Sequence, residues 1–211
     1  MVNIQKAIEV AKPLIKNYEG LASSTPPPTL TYVRKDGSPN DKIYAYWDTF
    51  AKIYTIGWGS IYLNGKPVKA TDVITRAQAE TIFEQEVIEK EKSIRGKVDL
   101  NKVNENQYAV LISIAYNAGA AGLARTRILP AINTGKPVAE VAAIIADSLT
   151  TSRGAVVPGL VRRRREESDF FMQIPIQEFV IKNKNTLLIG IVLVGIGAYL
   201  FYLKKKGIFK K

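Results

Sequence analysis

The chain contains no cysteine and no histidine. The first absence excludes disulfide frameworks, thiol nucleophiles and thiolate metal sites; the second removes every imidazole acid, base, triad or metal ligand. Any catalysis is left to carboxylates, hydroxyls or lysines. Tryptophan and methionine are scarce, at two each. The hydrophobic content of 46% and charged content of 23% over 211 residues are ordinary for a globular chain with one core and an appendage.

Acidic residues are missing from the tail. Residues 1–181 carry 23 Lys/Arg against all 19 Asp/Glu, whereas residues 182–211 carry seven lysines and no acid. Most of the formal charge of +11 is therefore local to the C-terminus. This argues against reading it as a nucleic-acid footprint, and no nucleic-acid partner is expected. The run Arg162 to Arg165, followed by Glu166 and Glu167, reads as a solvated helix face with internal ion pairs.

Within the tail, residues 187–203 (LLIGIVLVGIGAYLFYL) hold no charge. As a helix they would be about 26 Å long, against a hydrocarbon core of about 30 Å. Lysines flank the run on both sides, and Tyr199 and Tyr202 stand where an interfacial aromatic belt would lie. A transmembrane helix over 186–203 is expected, with a linker over 176–185 and a basic tail over 204–211. The lipid bilayer is thus an expected partner. The lysine excess after the span puts the C-terminus on the cytoplasmic side, so that the rest of the chain would face outward. Residues 1–20 alternate charge with apolar positions and show no apolar signal-peptide core.

In the remainder, Ile4, Ala7, Ile8, Ala11, Leu14, Ile15 and Tyr18 recur at helical spacing, with Pro13 expected to break or kink the helix. Residues 22–42 hold Pro26, Pro27, Pro28, Pro39 and an Asp36-Gly37 turn signal, and read as a long loop or added hairpin. The stretches 44–47 and 53–62 are aromatic and β-branched, closed by Asn64-Gly65, and predict a small antiparallel sheet. Thr75-Arg76-Ala77-Gln78 is a capping box opening a helix over about 75–95. Further helices are expected from Tyr108 to a stop near Asn117-Ala118-Gly119, from Leu123 to Ile132, from Pro137 to Ile145 and from Leu160 to Phe171. The expected fold class is α+β: a small β-containing N-terminal lobe packed on a helical C-terminal lobe.

Two stretches could carry chemistry. Glu19 stands at the last turn of the first helix, where the macrodipole repels a carboxylate. Beside an apolar neighbour such as Tyr18, it has the setting of a general acid. Taken alone, it also reads as an ordinary exposed glutamate. Tyr46-Trp47-Asp48 and Ile53-Tyr54-Thr55-Ile56-Gly57-Trp58-Gly59 place an acid and a hydroxyl at two ends of a turn in the sheet, where they could hold one water. The glycines fit a close ligand approach or a plain bulge equally well.

Together these stretches resemble the phage-type lysozymes, glycoside hydrolase family 24. The resemblance rests on Glu19-Gly20-Leu21 at a helix end, Tyr46-Trp47-Asp48 and Thr55-Ile56-Gly57-Trp58-Gly59. Ile74 to Ala79, Tyr116-Asn117-Ala118-Gly119 and Gly159-Leu160-Val161-Arg162-Arg163-Arg164 extend it over about residues 4 to 172. It implies a lysozyme-like fold over 1–175, with residues 22–45 inserted between the Glu and Asp motifs. It also implies a muramidase, an endolysin acting on the bond between N-acetylmuramic acid and N-acetylglucosamine in bacterial peptidoglycan. Glu19 would protonate the glycosidic oxygen, and Asp48 and Thr55 would position the attacking water. Tyr46, Trp58 and Asn117 would touch the sugar, although Asn117 also reads as a helix C-cap. Inversion is expected, and neither metal nor organic cofactor is required. A lytic transglycosylase on the same bond and a non-catalytic peptidoglycan-binding membrane protein are the competing readings. With the anchor, the expected place is a virion membrane or the host inner membrane, for phage entry or host lysis.

Three features depart from the family pattern. Ser60 stands where the family usually has histidine after Gly-x-Gly, so support there must differ. The turn from Asp48 to Thr55 is one residue longer than usual and lacks glycine. The link from Glu19 to Asp48 is long and proline-rich, which makes Asp41 or Asp36 conceivable substitutes for Asp48.

Overall fold

The computed structural model describes residues 1–19, 42–49 and 51–173, which lie in one compact unit, Met1–Gln173. The expected anchor, the linker, the proline-rich stretch up to residue 41, and with it Asp36 and Asp41, lie outside the described residues. Among the described residues no helix is long and apolar enough to cross a membrane.

The first helix, α1 (Ile4–Glu19), runs through Pro13 as one element and buries Ala7, Ile8, Ala11 and Ile15. The expected break at Pro13 does not occur. The proline is exposed, so the hydrogen bond it cannot make falls on the solvent side.

The N-terminal lobe is built from short antiparallel ladders. Strand β1 (Lys42–Tyr44) pairs with β6 (Val73–Thr75), β2 (Tyr46–Asp48) with β3 (Ile53–Thr55), and β4 (Tyr62–Leu63) with β5 (Lys66–Pro67). Residues 42–44, expected inside the insertion, are thus a strand, because their ladder partner lies about thirty residues downstream. Asn64 and Gly65, both at positive φ (52° and 73°), form the β4–β5 turn as the Asn-Gly signal predicts. Ile43, Ala45, Ile56, Val68, Ile74 and Ala79 make this lobe's core.

The helical lobe holds α2 (Arg76–Arg95), α3 (Glu105–Ala124), α4 (Ile128–Asn133), α5 (Val138–Asp147) and α6 (Pro158–Phe171), with a hairpin of β7 (Thr151–Ser152) and β8 (Ala155–Val156) between the last two. Thr75 caps α2 with the reciprocal bonds of a capping box. Asn104 and Gln107 do the same for α3. The stop expected at Asn117-Ala118-Gly119 is a kink: Gly119 leaves helical geometry at φ 74°, ψ 156°, and the chain then re-enters the helix. Leu123 therefore belongs to α3, and the next helix is shorter than its apolar pattern suggested. A large core gathers around α3, with Ile15 of α1, Phe83 and Val87 of α2 and Phe171 of α6. Helix α2 serves both cores, Ala79 facing the smaller and Phe83 the larger.

Candidate active site

The last residue of α1 is Glu19, whose carboxylate meets two distant partners. Its Oε1 accepts from Nη1 of Arg163 on α6 at 2.5 Å. Its Oε2 lies so near Gly59 that a Cβ built there would stand 3.3 Å away. Gly59 has a φ of +94°, a conformation that favours glycine, and a Cβ there would crowd the carboxylate.

Asp48 and Thr55 lie on the β2–β3 hairpin. Asp48 pairs with Ile53 and Tyr46 with Thr55, so Tyr46, Asp48, Ile53 and Thr55 project to one face, with Asp48 and Thr55 as diagonal neighbours. Trp47 and Tyr54 take the other face and stack edge-on, with centroids 4.9 Å apart. The hairpin turn is closed without glycine: Asp48 Oδ1 accepts the Ala51 N–H at 2.8 Å, and Lys52 takes the left-handed conformation at φ 62°. The Thr55 hydroxyl is buried and has no hydrogen-bond partner among the described residues.

Ser60, in the position of the family's histidine, supports the turn by another route. Its hydroxyl lies 2.6 Å from Glu86 Oε1 on α2 and 2.8 Å from the Tyr62 carbonyl. The other oxygen of Glu86 is 2.9 Å from the Tyr116 hydroxyl, which is also 3.0 Å from the Trp58 carbonyl. Glu86 thus ties the Trp58-Gly59-Ser60 turn to both α2 and α3. Burial first, and the Glu86 carboxylate second, push the Tyr116 phenol well above its ordinary value, so it acts only as a neutral hydrogen-bonding group.

The remaining expected site residues are placed as follows. Tyr46 is exposed on the Asp48 face. Trp58 is half-buried and packs against both cores, its ring 5.9 Å from that of Phe83 and under the Lys16 ammonium, with a buried Nε1 that has no partner among the described residues. Trp58 thus joins the two cores. Asn117 Oδ1 accepts from Arg164 Nη2 at 2.8 Å. Asn117 also borders a cavity of about 430 Å³ that runs from Ala51, at the hairpin turn, to Ser152 and Leu160. The structure brings Glu19 to Gly59, and Asn117 to a cavity shared with the Asp48 turn.

The arginine run differs from its expected role. Arg162 and Arg165 are exposed, but Arg163 and Arg164 are buried, since they share the inward face of α6 with Glu167, Ser168 and Phe171. The internal ion pairs do form, Arg163 Nε to Glu167 Oε1 at 3.2 Å and Arg164 Nη1 to Glu167 Oε2 at 3.0 Å. The second is off the hydrogen-bond axis and is a contact of charges. Breaking one partner of such a buried pair costs about 3–5 kcal/mol. Sequence reasoning missed Arg163 as the partner of Glu19, and Glu86 and Glu167 as supports. The only available signal was the i, i+3 and i, i+4 spacing of Arg163, Arg164 and Glu167.

A two-lobed α+β fold with a carboxylate at the end of its first helix, set against a glycine turn of the small sheet, defines a lysozyme-like protein. The chain matches the Phage lysozyme family over residues 42–167, more than half its length, and belongs to that family. It is similar to the endolysin of Bacillus phage PZA, 32% identical over 120 residues, covering 57% of this chain and 44% of that protein. The chain therefore spans less than half the length of that relative. Among solved structures it is similar to the endolysin from Escherichia coli O157:H7 phage FAHEc1, with a TM-score of 0.61 and 27% identity, covering 78% of this chain and 91% of that one. It shares its fold with the muramidase domain of SpmX from Asticaccaulis excentricus, with a TM-score of 0.59 and 19% identity, covering 78% and 95%.

Proposed function

We propose that the protein is a muramidase that hydrolyses the β-1,4 bond between N-acetylmuramic acid and N-acetylglucosamine in bacterial peptidoglycan. The observation that carries this reading is the meeting of Glu19 with Gly59, four residues after Thr55, whose hydroxyl has no partner among the described residues. It is supported by family membership and by endolysins among the relatives.

In this reading Glu19, fixed by Arg163, donates its proton to the glycosidic oxygen as the bond breaks. Asp48 and Thr55, diagonal on one hairpin face, hold the water that attacks the oxocarbenium-like carbon from the opposite side. An unpartnered hydroxyl suits that task, because it can donate to or accept from a water without breaking a protein bond. Attack by a water held between the carboxylates inverts the anomeric centre, and the reaction needs only acid, activated water and sugar distortion. Asn117 and Tyr46 would touch the glycan in this reading.

The test is cleavage of purified peptidoglycan by the full chain, with mass analysis of the fragments. Reducing-end muramic acid products are expected, lost in Glu19→Gln and in Asp48→Asn. Anhydro products insensitive to the Asp48 substitution would instead assign a lytic transglycosylase. Binding without any cleavage would assign a peptidoglycan-binding protein. We also propose that the uncharged run over 187–203 anchors the enzyme in a virion or host inner membrane, on the strength of its length and lysine flanks. Extraction by alkaline carbonate would sink that placement.

A further inference from the structure

We propose that Glu167 is a positioning residue for this reaction, setting the carboxylate of Glu19 through Arg163 and the amide of Asn117 through Arg164. The inference rests on the muramidase reading and adds to it a residue that touches neither sugar nor water.

Glu167 lies on the inward face of α6 with its side chain fully buried. Its Oε1 accepts from the Ser113 hydroxyl of α3 at 2.7 Å and from Arg163 Nε at 3.2 Å. The Arg163 guanidinium is planar, so fixing Nε fixes where its other nitrogens point. Nη1 then reaches Glu19 Oε1 at 2.5 Å, while Nη2 lies 3.3 Å from the Ser113 carbonyl and 3.4 Å from its hydroxyl. On the other side, Arg164 Nη1 stands 3.0 Å from Glu167 Oε2, and Arg164 Nη2 donates to Asn117 Oδ1 at 2.8 Å.

One buried carboxylate therefore holds two adjacent guanidiniums, and each guanidinium holds one side chain proposed to act on the glycan. The cluster balances two guanidiniums with the carboxylates of Glu19 and Glu167, and of these only Glu167 touches both arginines. Ser113 anchors the arrangement to α3, the helix that also carries Asn117, so the two arms share one foundation. The Tyr18 ring, stacked 4.6 Å from the Arg163 guanidinium, closes the remaining side of the first arm. Burial holds Arg164 below its ordinary value and pushes Glu167 above its own, against the opposite pull that each charge exerts on the other. With Gln at position 167 the guanidiniums would face each other with one carboxylate fewer, the Arg163 arm losing its hydrogen-bonded aim and the Arg164 arm the charge beside it.

The experiment compares kcat, KM and melting temperature on peptidoglycan for wild type, Glu167→Gln, Arg163→Ala and the double variant, all in the full chain. A misplacement of the acid by a fraction of an ångström is expected to lower kcat about tenfold to a hundredfold in Glu167→Gln. KM should rise as well, because the Asn117 arm, held through Arg164, bears on sugar binding. In the Arg163→Ala background the same substitution should have much less effect on kcat, since that arm is already gone. A lower melting temperature with unchanged kcat would overturn the proposal, and so would an equal loss of kcat in both backgrounds. If Glu167→Gln does not fold, Ser113→Ala replaces it and should lower kcat in the same direction; no loss there overturns the proposal. If wild type cleaves no peptidoglycan, the muramidase reading falls. The positioning is then judged on the Asn117 side-chain amide resonances, which must move in Glu167→Gln or Ser113→Ala for the proposal to stand.

Discussion

Gly57 and Gly59 flank Trp58, and both sit at positive φ, +65° and +94°, yet their surroundings assign them different duties. A Cβ on Gly57 would make ordinary contact with the Cβ of Ala79 at 3.4 Å and with Ile74 Cδ1 at 3.7 Å, both in the small core. Among the described residues, what a Cβ on Gly59 would meet is the Glu19 carboxylate. Gly57→Ala should therefore cost about 1–2 kcal/mol of stability through left-handed strain, with kcat nearly unchanged below the melting transition. Gly59→Ala carries similar strain and also displaces Glu19, so kcat should fall as well. Melting curves beside cleavage rates check this, and equal kcat in the two variants would remove Gly59 from the site. Glu19, Asp48 and Thr55 stand out as candidates in the sequence because the motifs around them resemble those of the phage-type lysozymes. Arg163, Glu86 and Glu167 do not, since their meaning depends on partners: Arg163 stands 144 positions from Glu19, and it is the tertiary packing of α6 that buries it.

Among the helices, α3 shows how local signals and tertiary contacts combine. Its start is written locally, in the Asn104/Gln107 capping box and in Glu105 of the first turn. Glu105 also reaches outside the helix, its Oε1 accepting the Asn3 N–H at 3.1 Å and so tying the entry of α1 to α3. Partial burial works to raise the Glu105 carboxyl, but the N–H of Asn3, its own backbone N–H and the charges of Lys6 and the N-terminus outweigh it and hold it below 4.5. A carboxylate lowered on folding adds stability that is fully present above its unfolded value and is lost as pH falls through its folded value. Glu105→Gln should therefore melt below wild type at neutral pH, with the gap closing as acidification passes below about pH 4.5. A gap that stays constant down to pH 2 would show that shape, not charge, links the two helices. The far end of α3 was less legible: Asn117-Ala118-Gly119 looks like a stop, and only the packed structure shows the chain turning at Gly119 and resuming its helix. Strand β1 was legible only at Tyr44, inside the expected sheet, and not at Lys42 and Ile43, since so short a strand has little signal without its distant partner β6.

Across the whole molecule the α+β class and the two-lobed plan follow from hydrophobic periodicity, but the junction between the lobes is tertiary information. The two cores meet where Trp58 packs against both, and from there a row of rings crosses from the sheet turn to α3: Trp58 to Phe83 at 5.9 Å, and Phe83 to Tyr116 at 5.7 Å. The Tyr116 hydroxyl closes the row by meeting the Trp58 carbonyl and Glu86 Oε2. Tyr116→Phe keeps the rings and deletes only that closure, leaving Glu86 with Ser60 and the Trp58 carbonyl without its α3 partner. A buried acceptor stripped of its donor costs about 1–3 kcal/mol, and the cost should fall unevenly. Amides of β2 and β3 should exchange with solvent faster, while those in the centre of α3, packed inside the larger core, should keep their protection relative to global unfolding. Because the same turn carries Gly59 to Glu19, kcat should fall alongside the local loosening. Hydrogen exchange of Tyr116→Phe, read residue by residue beside its cleavage rate, decides the matter. Uniform acceleration over both lobes would mean that the aromatic row stabilises the fold as a whole and does not govern the junction.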